Sequence, residues 1–397
     1  MLLALAVVGA AEPSAAERPQ PSAAQVLEFA DKGWTVVRGA VPELREPDVE
    51  AACKSGEARS AREYANYSVA YLRDRHGFDV RSAGHVAECG PVDDAQIAAN
   101  ASRAATHEFF KRLRCSVALA NRNGTGHACA DLAGGPNFRG CGATANLPAY
   151  RGLDAHRGEP RLRAAATAPT LGEIAARLLM VDRVRLYQTA IHVKDPAAAA
   201  ADAGLNDATA WHADLLTVPL DVGVGGYVTI WCPLTRELDR RRDSVLQFAS
   251  GSHRDVSARQ WFGAGRDRTR KIIDAMAASR ASPKGPHRYG FGVVDTLDVG
   301  DCSAHSGWLF HAAPPQKADR GPRRAVAFSY VSADAVPLED LAAGGARAGS
   351  AVLELEDELS FRDWLPAAAA RGDLDDPARL PVVFPGPAPP AATPGEL

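Results

Sequence analysis

The chain has 397 residues, of which 46% are hydrophobic and 23% are charged, and this mixture excludes a disordered chain, a collagen and a disulfide miniprotein. With 45 basic and 48 acidic residues its formal net charge is -3, so composition gives no reason to expect nucleic-acid binding. The longest apolar run, Leu2 to Ala11, is too short to span a bilayer. We expect a soluble protein with room for a buried site.

Residues 1–24 form a short apolar segment followed by a polar stretch. Val8 and Ala10 fit the positions that precede a signal-peptidase cleavage site, but no Lys or Arg precedes the apolar run. A targeting segment with a linker and an ordinary chain terminus both remain open.

Seven cysteines occur in the chain and none forms a CxxC zinc pattern. Cys115, Cys129 and Cys141 are close enough in sequence to pair if oxidised. Reduced thiols are the main expectation.

The N-terminal part of the chain, residues 25–180, is helical in pattern. Residues 24–30 predict a helix, a turn follows at Asp31-Lys32-Gly33, and residues 34–38 predict a short strand. Thr170 and Glu173 have the spacing of a capping box and predict a helix start. Residues 121–160 are rich in Gly, Asn and Pro, which indicates a long loop or insertion.

The next part, residues 181–335, has the pattern of an antiparallel sandwich or barrel. The predicted strands are 184–194, 217–220, 227–232, 245–248, 293–297 and 325–331. Residues 336–397 form a C-terminal extension, and its Pro-rich end from Pro381 onward is expected to be an extended tail that need not pack.

A candidate metal motif lies at Trp211-His212-Ala213-Asp214. On a strand, His212 and Asp214 would point to the same face and supply two ligands of a metal site. A distant His would complete a 2-His-1-carboxylate set, which leaves three positions open on iron(II). The motif alone is weak, because a hydrogen-bonded polar pair at a strand end has the same pattern.

The third ligand is predicted in the segment from Gly300 to Pro315. His311 lies twelve residues before Arg323, which opens the last predicted strand of this part. The planar guanidinium of Arg binds a carboxylate through two hydrogen bonds. His305, six residues before His311, is the competing ligand.

Several segments in the same order resemble the phytanoyl-CoA dioxygenase family of Fe(II)/2-oxoglutarate-dependent oxygenases. The resemblance covers about residues 25–55 and 170–380 and leaves about 60–168 unaccounted for. The segments that carry it are 29–39 (FADKGWTVVRG), 186–194 (LYQTAIHVK), 209–214 (TAWHAD), 246–253 (LQFASGSH), 305–323 and 356–366.

The resemblance implies a mainly β fold with flanking helices around a jelly-roll (double-stranded β-helix) core at 181–335. Iron(II), 2-oxoglutarate and O2 would be used, with ascorbate as a candidate reductant. The implied iron ligands are His212, Asp214 and His311, the implied partner of the distal carboxylate of 2-oxoglutarate is Arg323, and the implied pocket-lining residues are Gln188, His192 and Trp231. For these last three, ordinary strand packing is an equally open interpretation.

The implied reaction is hydroxylation of an unactivated C–H bond of a small organic substrate, with release of succinate and CO2. Asp214 favours hydroxylation, because relatives that halogenate have lost this carboxylate. In this interpretation His305 lies behind the ligands or faces the substrate, and His253 holds a turn. A cupin-type metalloprotein that does not use 2-oxoglutarate and a non-enzymatic binding barrel remain as alternatives, and the sequence indicates neither the substrate nor the oligomeric state.

Overall fold

The protein is described here from a computed structural model, which covers residues 19–45, 47–76, 79–97, 153–196, 208–216, 218–223, 226–255, 289–338 and 364–385, with isolated positions between 105 and 115. Four features predicted from the sequence lie outside these residues, wholly or in most of their length. They are the N-terminal apolar segment, the loop at 121–160, Cys129 with Cys141, and the end of the Pro-rich tail.

Six α-helices flank the sheets in the described part of the chain. They are α1 (Ala23–Lys32), α2 (Pro47–His76), α3 (Ala83–Cys89), α4 (Pro160–Ala166), α5 (Pro169–Leu179) and α6 (Leu365–Arg371). None of the helices in these described ranges combines the length and the apolar character of a membrane span.

The ends of α1 and α5 show why each helix begins where it does. The first turn of α1 is closed by a capping box between Ser22 and Gln25. For α5 the predicted capping box is wrong, because Thr170 lies inside the helix and Ala168 at the cap makes no side-chain bond. Pro169 begins this helix instead, since its fixed backbone angle suits the first helical position.

Fourteen strands form two main sheets and two small two-stranded sheets in the described residues. They are β1 (Trp34–Val37), β2 (Val184–Lys194), β3 (Thr209–His212), β4 (Leu220–Asp221), β5 (Tyr227–Pro233), β6 (Leu238–Asp239), β7 (Gln247–Ser250), β8 (Gly290–Val293), β9 (Thr296–Leu297), β10 (Cys302–Ser306), β11 (His311–Ala313), β12 (Arg323–Ser332), β13 (Val336–Pro337) and β14 (Val382–Phe384). The six-stranded sheet has the order β1-β10-β5-β12-β2-β14, and the four-stranded sheet has the order β3-β11-β7-β8. All their pairings are antiparallel, and the predicted mainly β jelly-roll class is confirmed.

Alternation along the strands divides the six-stranded sheet into two faces. On β5, Val228, Ile230 and Cys232 pack in a core that also contains residues of α4 and α5, which therefore cover the outer face. Trp231, on the other face of β5, packs in a core with Phe248 of the four-stranded sheet. The inner face therefore lies between the two sheets, where the functional candidates are found.

Part of the C-terminal tail packs against the six-stranded sheet, although the sequence predicts an extended tail that need not pack. Val382–Phe384 forms β14 and pairs with the edge strand β2, and Val383 is buried. The expectation of an unpacked tail is therefore wrong for these residues. They are apolar and β-branched or aromatic, which suits a strand between two prolines.

Two disulfides in the described part of the chain contradict the expectation of reduced cysteines. Cys232 and Cys302 are bonded across the neighbouring strands β5 and β10, and Cys89 is bonded to Cys115. Cys53 is buried and free. A separation of 70 residues hides the first pair in the sequence, and only the sheet brings it together.

Candidate metal centre

His212 and His311 face each other across two paired strands of the four-stranded sheet. His212 ends β3, His311 begins β11, and the two residues are direct partners in the strand register. The sequence predicts Asp214 on the same strand as His212, but in the structure Asp214 begins a 3-10 turn that runs from Asp214 to Leu216. The strand argument for Asp214 is therefore wrong, although its side chain still meets His212.

The three side chains converge on one point. The Oδ1 atom of Asp214 lies 3.5 Å from Nε2 of His212 and 3.5 Å from Nε2 of His311. One ligand atom from each residue lies within 4.8 Å of the other two. This is the spacing of a set of ligands around a single ion, and it is the set predicted from the sequence.

The hydrogen bond from Nδ1 of His311 leaves its Nε2 atom available to bind a metal ion. Its Nδ1 lies 3.0 Å from the backbone oxygen of Leu309, which can only accept, so Nδ1 carries the proton. Burial, followed by the neighbouring His212 and His305, holds the pKa of His311 well below its usual value. His311 is thus a neutral imidazole whose Nε2 lone pair faces Asp214.

Asp214 is ionised in the same surroundings. Burial raises the pKa of this carboxyl, but the hydrogen bonds to His212 and His305 outweigh burial and hold the pKa well below its usual value. One carboxylate and two imidazoles form the donor set preferred by non-haem iron(II). The residues present therefore fit a divalent iron ion.

The structure separates the roles of the two competing histidines. His305 lies on β10 of the six-stranded sheet, and its Nε2 is 3.3 Å from Oδ2 of Asp214, whereas His212 and His311 contact Oδ1. The hydroxyl of Thr229 donates to the same oxygen at 2.7 Å. His305 therefore contacts the second oxygen of the carboxylate, while His311 completes the three-residue cluster.

Arg323 lies on the inner face of the six-stranded sheet and is 1% exposed. Its guanidinium carbon is 5.2 Å from the centre of the Trp231 ring, and its Nη1 donates to the backbone oxygen of His192 at 3.5 Å. Trp231 is two residues along β5 from Thr229, which contacts Asp214. The Arg323 guanidinium therefore lies on the sheet face that contacts the His–Asp–His cluster, and Trp231 and Thr229 connect the two along β5.

The remaining predicted pocket residues share this face. Gln188 pairs with Ser329, which in turn pairs with Thr229, and His192 pairs with Ala325. Lys194, the last residue of β2, is 5% exposed and donates to the backbone oxygen of Ala313.

Gln316 occupies the connection between β11 and β12 that leads to Arg323. Its side-chain oxygen accepts from the N–H of Ser244 at 2.8 Å, and its nitrogen donates to the oxygen of Gly321 at 2.9 Å. The Gln316 side chain therefore supports the connection through hydrogen bonds to backbone atoms.

Two other histidines have structural contacts. His253 lies 3.1 Å from the backbone oxygen of Ala30, in keeping with a role at the turn after α1. His156 is buried on the outer side, with Nδ1 2.9 Å from the hydroxyl of Thr189. Sequence reasoning missed Thr229, since a single threonine in an apolar strand carries no motif.

No protein-family model and no curated protein matches the sequence. Among solved structures, the chain is similar to the non-heme alpha ketoglutarate dependent epimerase SnoN from nogalamycin biosynthesis, with 17% identity over 79% of this chain and 83% of that one and a TM-score of 0.41. It is similar to the carbocyclase SnoK from the same biosynthesis, with 15% identity over 91% and 96% of the two chains and a TM-score of 0.45. EctD from S. alaskensis, solved with 2-oxoglutarate and 5-hydroxyectoine, has 15% identity over 81% of this chain and 79% of that one and a TM-score of 0.41. Because these TM-scores are below 0.5, function has to be inferred from the chain's own side chains.

Proposed function

We propose that this protein is an Fe(II)- and 2-oxoglutarate-dependent dioxygenase that hydroxylates an unactivated C–H bond of a small organic substrate and releases succinate and CO2. The observation that carries the proposal is the convergence of His212, Asp214 and His311 on one point of the barrel interior. The sequence segments that resemble the phytanoyl-CoA dioxygenase family support the same assignment.

His212, Asp214 and His311 would hold the ion from one side and leave the positions opposite them open. When bound, iron(II) with 2-oxoglutarate supplies the oxidation of the substrate by O2. Asp214 keeps the carboxylate that halogenating members of the resembled family lack, and this favours hydroxylation.

Arg323 would bind the distal carboxylate of 2-oxoglutarate. Its guanidinium is withdrawn from water and lies over the face of Trp231, which fixes the direction of its hydrogen-bonding fork. Gln188 and His192, on the same face, would line the pocket around the cosubstrate.

The decisive experiment is calorimetric titration of 2-oxoglutarate into anaerobic, Fe(II)-loaded protein. The wild type should bind saturably, and Arg323→Ala should weaken binding by roughly 2–5 kcal/mol, because a buried charge pair is lost. Arg324→Ala is the matched control, since Arg324 is the next residue on β12 and alternation places it on the outer face. A folded, metal-loaded wild type that does not bind 2-oxoglutarate would contradict the proposal and favour a cupin-type metalloprotein or a binding barrel.

Hydroxylation is tested separately by mass spectrometry of products formed under labelled O2 from a panel of small organic substrates. We expect one labelled oxygen atom in the product and succinate in equal amount. Products that form with succinate but gain no oxygen would contradict hydroxylation and indicate another oxidation at the same centre.

A further inference from the structure

Two side chains of the six-stranded sheet contact the same oxygen of the Asp214 carboxylate. The Thr229 hydroxyl is 2.7 Å and the His305 Nε2 is 3.3 Å from Oδ2. An ionised carboxylate only accepts hydrogen bonds, so both side chains must donate to this oxygen. We call Thr229 and His305 the carboxylate clamp.

The clamp is rigid because its two members are strand partners. Thr229 on β5 and His305 on β10 are paired directly in the sheet register, and both are buried. The single hydroxyl proton of Thr229 goes to Asp214, so the contact at 3.3 Å between Thr229 and Ser329 must have Ser329 as its donor. A third strand, β12, therefore supports the position of the Thr229 hydroxyl.

Because of the clamp, the two oxygens of the Asp214 carboxylate have different contacts. Oδ2 is occupied by two donors, whereas Oδ1 faces Nε2 of both His212 and His311 at 3.5 Å. A carboxylate can bind a metal ion through one oxygen or through both. Moving Oδ2 onto the ion would break two buried hydrogen bonds, one of them from a hydroxyl to a charged oxygen.

We propose that Thr229 and His305 are positioning residues that hold Asp214 as a one-oxygen ligand. This keeps free the coordination position that a second carboxylate oxygen would take, where the cosubstrate or O2 has to bind. The inference rests on the proposed function, because it requires a metal ion between His212, Asp214 and His311.

The test is titration of the metal-free protein with Co(II) in the absence of 2-oxoglutarate, followed by visible absorption. The d–d bands of Co(II) report its coordination number, and their growth gives the affinity. Thr229→Val and His305→Phe should weaken Co(II) binding about 10- to 100-fold, the usual effect of losing a hydrogen bond to a ligand, and should shift the bands. Thr229→Ser keeps the hydroxyl and should restore both readouts.

Thr189→Val is the matched control. Thr189 is also a buried strand threonine whose hydroxyl contacts a histidine, His156, but it lies on the outer face of β2 away from Asp214. The Thr189→Val protein should be less stable than the wild type and should have the same Co(II) spectrum.

Three results would contradict parts of this account in distinguishable ways. Thr229→Val and His305→Phe proteins that are folded by circular dichroism and bind Co(II) with wild-type affinity and spectrum would overturn the clamp alone. A wild type that binds no Co(II) would overturn both the clamp and the proposed function. A wild type that binds Co(II) but no 2-oxoglutarate would overturn the proposed function, and the two variants would still decide on the clamp.

Discussion

His156 shows at the scale of one residue how burial fixes a charge state. Burial, followed by the positive charges of Arg157 and Arg163, lowers the pKa of His156 to about 3. Its Nδ1 contacts the Thr189 hydroxyl, so the neutral ring is held inside the fold. In the unfolded chain the same ring titrates near its ordinary value, about 6.5.

This difference predicts a loss of stability in acid. Between about pH 6.5 and pH 3 the unfolded chain binds a proton that the folded protein does not, so this contribution is complete above pH 6.5 and falls as pH falls. We expect the stability advantage of the wild type over His156→Gln to shrink by about 3 kcal/mol between about pH 7 and pH 4, as measured by urea unfolding. His85→Gln, on α3, is the control; an advantage of His156 that stays constant with pH would contradict the prediction.

The candidate site divides into residues that sequence could find and residues that it could not. His212, Asp214, His311 and Arg323 have informative types and spacing. The conformation of Asp214 was not predictable, because the strand stops at His212 and the turn after it is set by a bond from the Leu215 N–H to the Gly307 oxygen. Thr229 approaches Asp214 only through the pairing of distant strands.

At the scale of elements, the disulfide between Cys232 and Cys302 ties together two central strands of the six-stranded sheet. It closes a separation of 70 residues that includes β7 and β8, two of the four strands of the four-stranded sheet. A cross-link over this distance restricts the unfolded chain and therefore favours the folded one.

Replacing both cysteines, in the variant Cys232→Ala/Cys302→Ala, should lower the free energy of unfolding by roughly 2–4 kcal/mol. The measurement is chemical unfolding without reductant. Cys53→Ala, which removes a buried sulfur that is not cross-linked, gives the cost of the lost side-chain volume. A double variant no less stable than expected from that volume alone would show that the cross-link contributes nothing.

Strands were predictable from the sequence where apolar and polar residues alternate along the strand or where all of its residues are apolar. The expected strand at 184–194 has the bounds of β2, and 227–232 differs from β5 by one residue. The strand predicted at 293–297 is instead the end of β8 and the separate β9, because a turn at the intervening residues redirects the chain. Such a break depends on which sheet each half joins, and local sequence does not determine it.

For the whole molecule, the proposed centre links metal binding to stability. His212 and Asp214 adjoin β3 and its following turn, whereas His311 comes from a strand about a hundred residues later. An ion bound by all three would hold these segments together only in the folded state. The folded protein should therefore gain stability by mass action.

A free Co(II) concentration one hundredfold above its dissociation constant should raise the free energy of unfolding by about 2.7 kcal/mol. Thermal unfolding with Co(II) and with a chelator measures this difference. His311→Ala should lose it, while His253→Ala, which alters a histidine at the turn after α1, should keep it. Equal stabilisation of both variants would place the ion elsewhere.

The strand β14 has a consequence for how copies of the protein meet one another. Without it, the eleven-residue strand β2 would present an unpaired row of backbone donors and acceptors, which can recruit a strand from another copy. β14 covers part of that row, and it is only three residues long with Pro381 before it and Pro385 after it. Proline has no N–H to offer to a further strand, so the sheet ends in a segment that resists edge-to-edge aggregation.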